Sequence, residues 1–212
     1  GPVLDSRNLH RHPFYPDAPA QSARIPMIIG NTRDETRAFL GNDEANFSLT
    51  WEQVPQKLRE QQYVDLSPEV VIAEYRRLYP DYTPSEVFFA ATTAGRSWRG
   101  AVEEAEARAR QGSPAWVYQL DWGSPLDGGK FGAFHTLDIP LVFDNVENSR
   151  VLMGPGPAPT LMARQMSAAW LAFARTGDPN TPALPGWPAY EAGKRSTMVF
   201  NLESRVVEDL YS

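Results

Sequence analysis

An α/β fold is what the sequence predicts, on three observations. Residues 25–29 (Ile-Pro-Met-Ile-Ile) and 116–120 (Trp-Val-Tyr-Gln-Leu) are dense apolar, β-prone runs of the kind that form buried strands. Long stretches carrying helix signals separate them, and strands alternating with helices build an α/β sheet. The chain then closes on two β-prone runs, 198–201 and 205–208, around a turn near Glu203-Ser204, which reads as an antiparallel hairpin.

Each element follows from local chemistry. Residues 1–24 are rich in Pro, His, Ala and Asp without a period, and read as a surface loop. The strand at 25–29 is stopped by Gly30-Asn31 and is expected to be covered on both faces. Residues 31–49 are polar and lead into helices. Thr50 and Ser67 are candidate N-caps for helices near 51–62 and 68–78, with Glu52 and Pro68 in the first turns. Ser85 opens a tract of Ala and charge that runs to Gly112, a stop signal. After the strand at 116–120 come Gly/Pro-rich segments at 123–130 and 154–159. Residues 161–175 place Met162, Met166, Ala169, Trp170 and Phe173 three and four apart, an amphipathic helix closed by Gly177. No internal repeat or charge block interrupts the chain.

The composition narrows the function. A chain of 212 residues, 42% hydrophobic with six Trp, is long enough to bury roughly 70% of its unfolded surface. The formal charge of −6 gives no pull toward nucleic acid or anionic lipid. No run of about 18 apolar residues occurs, so no segment is expected to span a bilayer. Cys is absent, which excludes disulfides, a thiol nucleophile and a thiolate metal site. Asn46-Phe47-Ser48 is an N-glycosylation sequon, a pattern common by chance.

Few residues carry chemistry. Of three His, His10 and His12 sit in the opening loop with nothing nearby to complete a metal site. His135 follows the second strand, in Gly132-Ala133-Phe134-His135, and is the candidate general base. Asp34 and Glu35 follow the first strand, on the edge where ligands bind in open α/β sheets. A carboxylate there can hold a His tautomer and stabilise its imidazolium, and either acid can equally be a helix N-terminal charge. A nucleophile elbow, G-x-S-x-G, does not occur: only Gly128 and Gly132 are four apart, with Lys130 between them. Gly95 and Gly100 have the spacing of a phosphate-binding loop, but Ala101-Val102 replace its Lys-Ser/Thr.

These segments, taken in order, resemble the type-B carboxylesterases, the α/β-hydrolases that include cholinesterases and para-nitrobenzyl esterases. Gly1-Pro2-Val3-Leu4-Asp5 is similar to a Gly-Pro-Val-x-Asp stretch of that family. Ile25-Pro26-Met27-Ile28-Ile29-Gly30-Asn31-Thr32-Arg33-Asp34-Glu35 is similar to the strand and loop bearing the triad acid, with Glu35 at its place. Gly132-Ala133-Phe134-His135, followed by Asp138-Ile139-Pro140-Leu141-Val142-Phe143, resembles the segment bearing the triad His. Trp170 to Asn180 and Trp187-Pro188-x-Tyr190 resemble the C-terminal signature.

The resemblance implies residues 1–212 as the C-terminal portion of one α/β-hydrolase domain: the last strands of a mostly parallel sheet, flanking helices and a hairpin. Family members are more than twice this long, and the fold orders its triad Ser, Asp/Glu, His. The chain therefore begins mid-fold, with Gly1-Pro2 native rather than a tag remnant, and the Ser lies upstream. The implied activity is carboxylic ester hydrolysis through a Ser-His-Glu triad, with Glu35 and His135 from this chain, which alone is expected to be inactive. Trp122, Phe131 and Phe134 are candidates to line an apolar substrate pocket, although core packing explains them as well. No metal or organic cofactor is needed. The expected partners are an ester substrate and the N-terminal portion of the same enzyme as a second chain. Two other readings stay open: a non-catalytic binding relative, and an inactive fragment.

Overall fold

A computed structural model describes residues 3–210; the expected Gly1-Pro2 start lies outside them. In chain order the main elements are β1 (Met27–Thr32), α1 (Arg37–Leu40), α2 (Val54–Gln61), α3 (Pro68–Leu78), α4 (Pro84–Thr93), α5 (Arg99–Arg110), β2 (Ala115–Leu120), α6 (Asp138–Val142), α7 (Arg150–Met153), α8 (Ala158–Thr176), β3 (Thr197–Phe200) and β4 (Arg205–Val207). The strands form one sheet in the order β1-β2-β3-β4. β1 pairs parallel with β2 and β2 parallel with β3, while β3 and β4 make the antiparallel hairpin. The fold is the α/β class expected.

Burial separates the strands. Every residue of β2 and β3 is buried, as inner strands of a parallel sheet must be. On one face Trp116, Tyr118 and Leu120 pack with Met198 and Phe200 against Met162, Met166 and Ala169 of α8. On the other, Val117 packs against Ala105 of α5 and Tyr190. Trp187 belongs to the first of these layers, against Phe200. Its indole N–H donates to the Val117 carbonyl at 3.2 Å, and the Asn180 side chain accepts its backbone N–H at 2.7 Å.

Three sequence expectations are corrected. The first strand runs from Met27 to Thr32 and is half-buried, with Ile25 exposed outside it. Pro26 has no N–H for the ladder, so pairing starts with the Met27 N–H on the Pro114 carbonyl at 3.1 Å. β1 is also the edge of this sheet, which uncovers it. The first of the two capped helices begins at Val54 rather than 51, because Pro55 must fall within the first turn. The tract to Gly112 starts at Thr83-Pro84, not Ser85, and a π-helical turn at Ala94–Trp98 divides it. The sequon also finds a place: Asn46 is buried and its Nδ2 donates to the Leu40 carbonyl at 2.8 Å, which closes it to a glycan in the folded chain. No helix among the described residues is long and apolar enough to cross a membrane.

Candidate active site

Parallel neighbours send their following loops out of the same end of a sheet. β1 and β2 run in register from Met27 opposite Ala115 to Thr32 opposite Leu120. Glu35 lies on the short turn after β1, and His135 lies on the longer excursion after β2. The two meet there, although they stand 100 residues apart: His135 Nδ1 and Glu35 Oε2 are 2.5 Å apart.

Glu35 is 6% exposed, and both its oxygens are engaged. Oε1 accepts the Thr32 N–H at 2.9 Å, which leaves Oε2 aimed at the imidazole. The next residue anchors the turn. Thr36 Oγ1 reaches the Phe89 carbonyl at 3.0 Å and the Thr92 and Thr93 hydroxyls at 2.8 and 3.0 Å, tying it to α4. A buried carboxylate on an anchored turn stays fixed, as a group that must orient a base requires.

The His135 side chain is 46% exposed, and its ring lies 4.7 Å from that of Phe39. With Nδ1 on Glu35, Nε2 is the nitrogen left to meet a reacting group. Thr136 follows with φ +71°, a conformation that costs a β-branched residue about 1–3 kcal/mol and is held by its surroundings. Leu137 is fully buried, and Asp138 accepts the Tyr118 hydroxyl at 2.8 Å. Burial first, and the Asp138 charge second, push the Tyr118 phenol well above its ordinary range, so it remains a donor.

The other acids near the ring are used elsewhere. Asp34 accepts the Ala133 N–H at 2.9 Å and faces Arg33 and Arg37 at 3.1 and 3.3 Å. The expected pocket residues divide. Trp122 is buried in the core cluster, and its backbone N–H donates to the Phe200 carbonyl at 3.1 Å. Phe131 and Phe134 are half-buried, 6.5 Å apart edge to face, with Phe131 also against Phe47. A cavity of about 590 Å³ lies between α3, α4 and the ends of β1 and β2, lined by Tyr75, Tyr79, Tyr82 and Trp98 among others. Asp34 and Arg37 reach its wall, but Glu35, His135 and the three expected pocket residues do not. Sequence reasoning missed Phe39, whose signal is its place four residues after Glu35 on a helical turn. Among the described residues no group of three or more His, Asp or Glu is placed to hold a metal ion.

The model of the family described as "Carboxylesterase family" matches residues 1–212. The chain belongs to the carboxylesterase family. It is 28% identical to the para-nitrobenzyl esterase of Bacillus subtilis (strain 168), over 98% of this chain and 40% of that protein. It is 30% identical to the phenmedipham hydrolase of Pseudarthrobacter oxydans, over 99% of this chain and 42% of that protein. Among solved structures, the Geobacillus stearothermophilus carboxylesterase EST55 at pH 6.2 superposes with a TM-score of 0.79 at 32% identity, covering 100% of this chain and 44% of EST55. The chain thus spans about 40% of the length of these curated relatives. The likeness extends to fold as well as sequence, and the mostly parallel sheet with flanking helices is of the α/β-hydrolase kind.

Proposed function

We propose that this chain supplies the acid and the base of a Ser-His-Glu triad in a carboxylic ester hydrolase. The observation that carries the reading is the Glu35 Oε2 to His135 Nδ1 contact at 2.5 Å, between loops that follow adjacent parallel strands. The esterase names of the relatives support the reaction class. The serine would come from a further polypeptide of the same enzyme, since no G-x-S-x-G occurs here.

The chemistry follows from the geometry. Glu35 holds His135 in the Nδ1–H tautomer, so Nε2 is unprotonated and basic. As the serine Oγ bonds to the ester carbonyl carbon, its proton passes to Nε2. Nε2 then protonates the departing alkoxide as the C–O bond breaks, leaving an acyl-serine. Water repeats the sequence and releases the acid. Glu35 stabilises the imidazolium at each stage without itself taking the proton.

The partner polypeptide would add a strand to the free edge of β1 and bring the serine beneath Nε2. A contact of that kind buries about 2,000 Å² or more. Serine-directed organophosphate labelling tests the reading. The 212-residue chain alone is expected to take up no label. Combined with the upstream portion of its own enzyme, it should give one labelled serine, on the partner, and His135→Ala should abolish the labelling. Stoichiometric labelling of a serine in this chain would overturn the reading.

A further inference from the structure

We propose that Asp34 is a positioning residue for His135: it clamps the histidine loop onto the acid turn so that Nδ1 meets Glu35. The proposal rests on the triad reading above and adds to it the device that sets its distance. The backbone of Asp34 donates to the Ala133 carbonyl at 2.8 Å, and its Oδ2 accepts the Ala133 N–H at 2.9 Å. Asp34 therefore engages both backbone polar groups of Ala133, the residue two before His135. That pair spans the same gap between the two loops as the Glu35–His135 bond.

The loop is shaped to receive this carboxylate. Gly132 has φ +58°, and a Cβ there would lie 2.3 Å from Asp34 Oδ2. Only glycine lets the backbone turn this way and approach the oxygen this closely. Asp34 is itself held from the other side. Its Oδ1 faces Arg37 Nε at 3.3 Å, and Arg37 sends Nη1 to the Lys130 carbonyl at 2.7 Å, a second fastening of the same loop. The Asp34 side chain is only 12% exposed, so water competes weakly for these bonds. The strained Thr136 lies one residue past His135, and strain of this kind persists only where the surrounding structure holds it. A triad tolerates an error of about 0.5 Å, so a clamp next to the base has direct consequence for the reaction.

Ring ¹⁵N and downfield ¹H NMR of the 212-residue chain reads the effect at His135. The unsubstituted chain should show an Nδ1–H tautomer with a downfield, hydrogen-bonded proton, both lost in Glu35→Gln. Asp34→Ala and Gly132→Ala should each lose them too, with Glu35 still in place. Hydrogen exchange of the Ala133 amide should quicken roughly tenfold or more in Asp34→Ala, the value of a bond to a charged acceptor. Asp34→Asn keeps an acceptor of the same shape and should restore the His135 signals. If Asp34→Ala fails to fold, Asp34→Asn and Gly132→Ala still decide: retention in Asn with loss in Gly132→Ala supports the clamp. Unaltered His135 signals in folded Asp34→Ala or in Gly132→Ala would overturn it. Absence of the bonded proton in the unsubstituted chain would instead contradict the Glu35–His135 pairing, and with it the need for a clamp.

Discussion

A methyl group at position 30 has nowhere to go. A Cβ on Gly30 would stand 2.2 Å from the Tyr118 carbonyl oxygen and 2.4 Å from its ring. The bare backbone of β1 lets the Tyr118 ring lie alongside it and carry its hydroxyl to Asp138, just beyond the His135 loop. Gly30→Ala is therefore expected to cost about 1–3 kcal/mol by overpacking a site walled by backbone. Tyr118→Phe keeps the ring and removes only the bond to a charged acceptor, about 1.5–3 kcal/mol. Chemical denaturation checks both. The same pair carries a pH signature. The phenol is held above its ordinary value of 10.0, first by burial and then by Asp138, so the folded state keeps a proton that the unfolded state releases. Its contribution is complete below about pH 10 and is lost as pH rises from there toward the folded-state value. The alkaline slope of stability should be shallower in Tyr118→Phe.

At the scale of elements, what the sequence made legible was whatever local chemistry decides. Ser67-Pro68 starts α3 as read, with the Ser67 hydroxyl accepting the Val70 N–H at 3.3 Å. Thr83 was overlooked in favour of Ser85, yet Thr83 and Glu86 form a full capping box around Pro84. Ser85 instead is buried and accepts the Leu49 N–H at 2.9 Å, a contact 36 residues away that no local pattern announces. Thr83→Ala should cost about 1 kcal/mol, measured as a fall in unfolding free energy, because it leaves first-turn N–H groups without an acceptor. The hairpin was legible because a turn joins its strands. The parallel pairing of β3 with β2 was not, since nothing local records which distant strand lies alongside. The site divides in the same way. Glu35 and His135 stood out through the motifs around them. Asp34 looked like a rival for the ring, and its bond to Ala133 became visible only once the loops were side by side. Trp122 lies in the core, the alternative its sequence left open, because an aromatic in a loop serves a core as readily as a pocket.

At the scale of the molecule, the sheet is well covered on one side and open on the other. β2 and β3 are buried throughout, whereas β1 is an edge with Met27 to Gly30 only partly covered. A half-covered parallel strand is out of character for this class, in which both faces and both edges of inner strands are occupied. Exposed Phe39, Ile139 and Phe143 add apolar surface on the elements next to Glu35 and His135. On the proposed reading this is the side that receives the polypeptide bearing the serine. The assembled enzyme then allows the most direct test of the account, the turnover of an activated ester with and without the base. With the upstream portion supplied, the assembly should hydrolyse the ester with a burst of alcohol, and His135→Ala should lower kcat by about 10⁴-fold or more at unchanged assembly, as loss of a triad member does. A His135→Ala assembly that turns over within about tenfold of the unsubstituted one would contradict the account.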